Sequence, residues 1–381
     1  MSARIAALRT AQVAPARLAL LGTGTVGSAV WTRLAGWQGT PLGQRLLLVH
    51  AANSRYALGN PAGIPGDAGE LLLQHAPQTS SLAAVEDALA GDGTRIVIDA
   101  TASEAVAAQH AHWLAHGIHV VTACKLGQGT SLSRWQAIQA ARRAGRTHYG
   151  DSATVGAGLP LLRSLRALQA GGDRIQAIAG VLSGSLAWLF NHYDGKQPFS
   201  GFVRQARDAG YTEPDPREDL SGEDVRRKLL ILARASGFAL EADAARVQSL
   251  VPPALAALPR EALDAALPAL DAPLRERYAS AYKNGAKLRF VARLGADGHA
   301  TVGLEALPAE HPLVGGGGTD NRVAIWSDRY PDQPMVIQGP GAGAAVTAAA
   351  LLDDALAIQA DMAQSPGRPK KSAIGIGRWN T

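Results

Sequence analysis

The stretch from Gly210 to Lys228, Gly-Tyr-Thr-Glu-Pro-Asp-Pro-Arg-Glu-Asp-Leu-Ser-Gly-Glu-Asp-Val-Arg-Arg-Lys, carries residue types that do chemistry. Glu213, Asp215, Asp219 and Asp224 are carboxylates able to hold an ammonium group, and Lys228 is a cation able to move a proton. Pro214 and Pro216 stiffen the loop, and Pro214 biases Glu213 away from helical geometry. Asp219 or Ser221 is then expected to N-cap a helix whose apolar residues are Val225, Leu229, Leu230 and Leu232. Asp224 and Lys228 stand one turn apart and share a face of that helix. Spacing alone equally allows a solvated acidic loop with a surface ion pair.

A second cation, Lys125, follows Cys124 just past a strand-like run from Ile118 to Thr122. Open α/β sheets bind ligands at the carboxyl ends of their strands, so Lys125 sits where a functional cation belongs; a plain surface lysine is the alternative. Another strand is expected from Arg95 to Ala100. It ends in Thr101-Ala-Ser103, small hydroxyl residues that either line a ligand crevice or cap a helix from Glu104 to His116. Ser103 reads as the cap. His110, His112 and His116 have no regular ligand spacing with carboxylates and read as surface or interface residues, not metal ligands.

These groups need elements to position them. The run from Arg17 to Leu21 fits a buried parallel strand and leads into Gly22-Thr23-Gly24-Thr25-Val26-Gly27, with a helix expected from about Ser28 to Leu34. This is the dinucleotide-binding pattern in its required context. The first glycine permits the turn, the second lets a pyrophosphate approach the backbone, and the third lets helix and strand touch. The helix N-terminus adds unpaired N–H groups for the phosphates. A glycine-rich turn without a ligand is the plainer alternative. The next strand, Arg45 to Ala52, ends in Asn53-Ser54-Arg55. No carboxylate there repels a 2′-phosphate and Arg55 could pair with one, which favours NADP over NAD. Arg55 pointing to solvent is the alternative.

Residues Leu71 to Leu89 read as mixed loop and helix, and a helix is expected from about Ser133 to Ala144. A change of domain is expected near His148, where Asp151 to Pro160 looks like a turn into a new helix. A strand from Ile175 to Leu182 runs into Ser183-Gly184-Ser185, followed by short helices over Leu186 to Tyr193 and Val203 to Asp208. The stretch from Leu240 to Tyr278 reads as helices broken at Pro252-Pro253, Pro259, Pro268 and Pro273. Strand-like runs over Leu288 to Leu294, Thr301 to Leu307, Arg322 to Ser327 and Met335 to Gln338 suggest a mixed sheet. Gly315 to Gly318 reads as a flexible turn. Gly339-Pro-Gly341-Ala-Gly343 then precedes a helix from Ala344 to Met362, placed to close back on the first domain. The expected organisation is α/β: a Rossmann-type nucleotide-binding domain over 1–148, an α+β catalytic and dimerisation domain over 149–338, a returning helix over 339–364, and a mobile tail from Ser365.

Composition fits a large globular chain: 381 residues, 47% hydrophobic and 18% charged. The net charge of +5 comes from scattered arginines and a short cluster at Arg368, Lys370 and Lys371; with 5% aromatics and no interleaved basic run, nucleic-acid binding is not indicated. Cys124 is the single cysteine, which rules out an intramolecular disulfide or a multi-cysteine metal site and fits a reducing, cytoplasmic setting. No segment reads as membrane-spanning or as a signal peptide, and the first 16 residues read as a short extension. No internal repeat is present.

From Gly22 to about Asp354 the chain resembles the homoserine dehydrogenase family. The resemblance rests on ordered motifs: the Gly22–Gly27 turn; Val155-Gly156-Ala157-Gly158-Leu159-Pro160; Gly180-Val-Leu-Ser-Gly-Ser185; Ala206 and Gly210 with Asp215-Pro216, Asp219-Leu220, Gly222, Asp224 and Lys228; and Gly339-Pro-Gly341-Ala-Gly343. It implies interconversion of L-aspartate 4-semialdehyde and L-homoserine with NAD(P)H, in a homodimer. By motif, Glu213, Asp224 and Ser185 would hold the substrate with Asp219 in support. Lys228 would donate the proton and Lys125 would be the second active-site lysine. Thr101, Gly210 and Gly343 would lie by the cofactor. Asp224 would face the substrate, so Lys228 need not be neutralised by it.

Two departures stand out. Cys124 replaces the family's usual Asn, either quietly or as a redox-sensitive point. Ser152 stands where a carboxylate usually helps the Val155, Ala157 and Leu159 carbonyls hold a monovalent cation such as Na+, with Asp151 one residue out of register. With the sequence ending soon after the final helix, no C-terminal regulatory domain and no N-terminal kinase domain are expected, and so no feedback by threonine through such a domain. Competing readings are a dehydrogenase of a related amino-acid semialdehyde and an NADP-binding sensor or inactive paralogue.

Overall fold

A computed structural model describes residues 14–66, 73, 75–76 and 78–364. Most of the expected N-terminal extension, part of the Leu71 to Leu89 segment, the Arg368–Lys371 cluster and the tail from Ser365 lie outside the described residues. The architecture is α/β, built on two sheets.

The first sheet has the strand order β4-β3-β2-β1-β5-β6-β7. Its parallel part comprises β1 (Ala16–Leu21), β2 (Leu46–Ala52), β5 (Arg95–Asp99), β6 (His119–Thr122) and β7 (Tyr149–Gly150). The short strands β3 (Tyr56–Gly59) and β4 (Gln78–Thr79) add on antiparallel. β1 and β5 read as continuous apolar runs because the sheet is covered on both faces. The strand order reverses between β1 and β5, which opens a crevice at their carboxyl ends. β7 lies just past the domain change expected at His148.

Numbering helices of nine or more residues in chain order, α1 (Thr25–Gly36), α2 (Glu104–Ala115) and α3 (Leu132–Gly145) serve this sheet. α2 is capped as expected, with Ser103 Oγ accepting from the Val106 N–H. α4 (Leu161–Ala170), α5 (Gly184–His192), α6 (Phe199–Asp208), α7 (Glu223–Ala235) and α8 (Asp271–Lys283) belong to the second unit. They pack on a mixed sheet of order β13-β12-β8-β10-β11-β9. Its strands are β8 (Ile175–Val181), β9 (Ala245–Val247), β10 (Lys287–Leu294), β11 (Ala300–Leu307), β12 (Asp320–Ser327) and β13 (Met335–Pro340). β9, parallel to β11, falls inside the Ala-, Leu- and Pro-rich stretch that reads as helix. Pro273 does not break a helix either. It sits in the first turn of α8, where a missing N–H leaves no helical bond unmade.

The start of α7 differs from expectation. Neither Asp219 nor Ser221 is its N-cap; Gly222 is, at φ +79°. A Cβ at Gly222 would meet Phe290 Cζ at 2.8 Å, so the position needs glycine twice over. Asp219 lies in a short helical turn, Arg217–Leu220, with its carboxylate turned elsewhere. The last helix, α9 (Ala344–Gln364), returns to the first sheet. Its Leu351, Leu352, Ala355 and Ile358 pack into the core of Leu20, Ile96, Ile98 and Val121.

Candidate active site

The glycine turn is built for close approach. Gly22 has φ +91°, and a Cβ there would meet the Ala100 carbonyl at 2.8 Å and Thr101 Cγ2 at 2.9 Å. A Cβ on Gly27 would lie 1.9 Å from the Gly22 carbonyl oxygen. Around Gly24 there is open space, and Gly24 caps α1 without any side-chain bond. α1 begins directly behind this glycine, and the N–H groups of a helix start are the donor set a pyrophosphate requires. Beside it, Asn53, Ser54, Arg55 and Tyr56 line a hollow of about 410 Å³ at the end of β2. Asn53 Oδ1 accepts from the Arg55 and Tyr56 N–H groups, each at 2.8 Å, which fixes the loop and leaves the Arg55 side chain exposed. These residues fit a dinucleotide.

At the carboxyl end of β6, Lys125 enters from the first sheet and meets α7. Asp224 Oδ2 is 2.7 Å from Lys228 Nζ, and its Oδ1 is 3.4 Å from Lys125 Nζ. Asp224 does pair with Lys228, because one helical turn brings the two side chains together. Lys228 also donates to the Leu182 carbonyl at 2.8 Å, and its side chain is only 12% exposed. Burial, and then the Lys125 charge, lower its pKa against the opposing pull of Asp224. Burial works against the Asp224 charge too, yet Lys228 and Lys125 hold that carboxyl well below the usual range. Asp224 keeps 44% of its side chain accessible, so it faces the crevice as well as the lysines.

A second polar group stands on the other bank. Asp219 Oδ1 accepts from Ser185 Oγ at 2.7 Å, and Oδ2 accepts from the Glu213 N–H at 2.9 Å. Ser183 Oγ lies 2.8 Å from Ser185 Oγ. Asp219 thus ties the Ser183–Ser185 turn at the start of α5 to the Glu213 loop. Burial raises its pKa, with the Ser185 and Glu213 bonds opposing. Glu213 is exposed. Asp215 is paired with Arg217 at 2.7 Å, which takes it out of the group. Gly210 (φ +73°) and Gly343 (φ +123°) start loops at the ends of α6 and before α9; among the described residues no hydrogen bond ties them to these side chains.

Beneath the crevice lies a buried network that the sequence reading did not include. Asp99, wholly buried at the end of β5, accepts from the Thr101 N–H at 2.9 Å and from Thr101 Oγ1 at 2.6 Å. Its other oxygen accepts from Thr122 Oγ1 at 3.1 Å and lies 2.9 Å from His110 Nε2. His110 Nδ1 is 2.9 Å from the Tyr149 hydroxyl. His110 is therefore a core residue, not the surface or interface residue expected. Two signals were readable: an aspartate closing the apolar run from Ile96, since a buried carboxylate requires partners, and His110 at helical spacing with Val106, Trp113 and Leu114.

His112 and His116 are about half exposed. With Glu86 they form the one group among the described residues whose ligand atoms could share a metal. However, His116 Nδ1 is engaged by the His112 carbonyl at 2.8 Å, and α2 carries both histidines away from the crevice edge. The segment expected to hold a cation is also altered. Val155 and Ala157 are buried, and Ala157 adopts φ +49°. Asp151 is bound by Arg166 at 2.6 Å, and Ser152 donates to Asp354, itself 2.9 Å from Arg163. The nearby carboxylates already have guanidinium partners, so the donor set does not fit a cation held by a side-chain carboxylate, and no step is assigned to one. Cys124 is buried, and burial with Asp99 pushes its thiol up to about 12.

A family model described as homoserine dehydrogenase matches residues 160–356, and one described as its NAD-binding domain matches 22–150. The chain is 34% identical over 365 residues to a homoserine dehydrogenase of Emericella nidulans, covering 91% of this chain and 98% of that protein. It is 42% identical over 266 residues to a bifunctional aspartokinase/homoserine dehydrogenase of Zea mays, covering 69% of this chain but only 29% of that one. Its fold matches a Candida auris protein of unknown function at a TM-score of 0.83, with 33% identity over 90% of this chain and 97% of that one. The chain thus spans under a third of its maize relative but nearly the whole of its fungal one, and with both family models matched in order it belongs to the homoserine dehydrogenase family.

Proposed function

We propose that the protein interconverts L-aspartate 4-semialdehyde and L-homoserine with a nicotinamide dinucleotide. The observation that carries this reading is the meeting of Lys125, Asp224 and Lys228 at the strand edge that also holds the glycine turn. The bound dinucleotide supplies or takes the hydride at the substrate's terminal carbon. Lys228 holds the proton for the aldehyde oxygen and stabilises the alkoxide charge; in the reverse direction it accepts the hydroxyl proton. Lys125 adds a second positive charge to that oxygen's surroundings. Asp224 and Glu213 bind the substrate ammonium, and Asp219 fixes Ser185 and the Glu213 loop in place.

NADP is the preferred cofactor in this reading, because Arg55 and Asn53 occupy the hollow where a carboxylate would select against a 2′-phosphate. The protein works as a cytoplasmic homodimer, an expectation carried by the family and the single cysteine and testable by light scattering. Among the described residues no helix is long and apolar enough to cross a membrane.

The test is NADPH oxidation with aspartate 4-semialdehyde and NADP reduction with homoserine. Turnover of both supports the reading. Turnover of other amino-acid semialdehydes only, or NADPH binding without turnover of any, overturns it. Arg55→Ala is expected to raise KM for NADPH about tenfold while changing KM for NADH little, since only the phosphorylated ribose offers it a partner.

A further inference from the structure

Asp99 is 0% exposed, and its side chain bonds Thr101 and Thr122, which flank the crevice, and His110 in the core. His110 Nε2 lies beside a carboxylate oxygen, so it carries a proton and donates, and Nδ1 pairs with the Tyr149 hydroxyl. Thr122 Oγ1 donates to Asp99 and accepts from the Cys124 N–H at 2.9 Å. Thr101 Oγ1 donates to Asp99 and accepts from the Ser103 N–H at 3.1 Å. Every member of the network is satisfied, which makes it rigid and intolerant of any change in donor or acceptor.

Its outputs fall on opposite banks. On one bank, engaging the Thr101 hydroxyl leaves the methyl group against Gly22, the first glycine of the cofactor turn. On the other, Thr122 fixes the Cys124 amide immediately before Lys125. The loop rests on the network a second time at Gly127, where a Cβ would lie 2.4 Å from the Tyr149 oxygen and 3.0 Å from His110 Nδ1. The loop cannot sink toward the core, and the Cys124 bond keeps it from lifting away.

We propose that Asp99, backed by His110 and Tyr149, is a positioning residue for the reaction: it sets Lys125 against Asp224 through Thr122 and sets the cofactor turn through Thr101. The inference rests on the proposed activity for its kinetic consequence and on the dinucleotide site for its binding consequence. Lys228 is faced by Asp224 and Asp219, which favour its charged form, and by Lys125, which disfavours it. A Lys125 displaced from this site raises the pKa of Lys228. Homoserine oxidation needs neutral Lys228, so its rising alkaline limb then moves to higher pH.

Thr122→Val keeps the shape and removes the hydroxyl. It is expected to lower kcat about 10- to 100-fold, as small misplacements of catalytic groups do, and to move the alkaline limb upward by about half a pH unit or more. Thr122→Ser keeps the hydroxyl and should return kcat to within about threefold of the parent, which separates the bond from mere packing. Asp99→Asn places an amide donor against the Thr122 and His110 donors, and should also weaken NADPH binding about tenfold. Circular dichroism establishes that each variant is folded. Folded Thr122→Val with parental kcat and pH profile overturns the proposal, as does Thr122→Ser failing as badly as Thr122→Val. If the parent protein turns over neither homoserine nor the semialdehyde, the proposed activity falls. NADPH titration by fluorescence then decides the positioning role, and a parental Kd in Asp99→Asn overturns it. If Asp99→Asn does not fold, the Thr122 pair decides by kcat and, should the parent be inactive, by NADPH affinity, where a parental Kd in Thr122→Val overturns it.

Discussion

Lys228 is asked to be both acid and base, and its surroundings set how well it can do so. Burial and Lys125 lower its pKa from the ordinary 10.5, while Asp224 limits the fall. The neutral form is therefore reached at lower pH than for a free lysine, and homoserine oxidation should reach half of its alkaline maximum below pH 10.5. Lys228→Ala is expected to cost about 10²- to 10⁴-fold in kcat. NADPH affinity should change little, because the cradle is made by α1 and the Asn53–Tyr56 loop; a stopped assay and a fluorescence titration measure the two effects. A fully active Lys228→Ala protein would remove the lysine from the chemistry. Cys124 behaves oppositely to a reactive thiol. Buried, with its pKa pushed up to about 12, it has almost no thiolate at neutral pH. A disulfide exchange reagent at pH 8 should label the native protein only at its unfolding rate, and activity should survive the treatment. Of the two readings open for this position, the quiet substitution is the one burial supports.

At the scale of elements, local patterns were legible and long-range pairings were not. The glycine turn and the Asp224–Lys228 pair could be read because each lies within a few residues of one chain segment. The cap of α7 was misread because Asp219 finds better partners in Ser185 and Glu213, and Ser185 lies 34 residues away in sequence. His110 stands in the middle of the buried face of α2, with Val106, Ala107, Trp113 and Leu114 around it, so helical spacing points it inward; its polar side chain alone suggested the surface. β9 escaped notice because its three residues are held by pairing with β11, not by their own β-propensity. Gly222 illustrates what a single position contributes to an element. Its left-handed conformation starts α7 at the angle that points Asp224 and Lys228 into the crevice. Gly222→Ala adds conformational strain and a contact with Phe290, and should lower stability by about 1–3 kcal/mol. Urea denaturation checks the size of the loss. A variant as stable as the parent would show that α7 can start in another way.

Over the whole molecule, the two units are interlaced rather than strung in sequence. The chain leaves the first sheet after β7, builds the second unit, and comes back as α9. Ser152, Asp354 and Arg163 fasten the outgoing segment to the returning helix. The apolar contribution of α9 can be bounded: Leu351, Leu352 and Ile358 alone, at about 1.5–3 kcal/mol for each buried side chain, supply roughly 5–9 kcal/mol. That rivals the entire stability of an ordinary domain, about 5–15 kcal/mol. A chain ending before Ala344 should therefore lose NADPH binding and expose its first sheet, seen as dye binding and loss of near-ultraviolet dichroism. The same arrangement has a consequence during translation. Strands β1, β5 and β6 leave the ribosome long before the helix that covers them, and at about 5–20 residues per second the roughly two hundred intervening residues take on the order of 10–40 s to synthesise. For that interval the part of this sheet face that α9 will cover, beside α1, is uncovered hydrocarbon, so the nascent chain is a natural client for a holding chaperone even though the finished protein buries it.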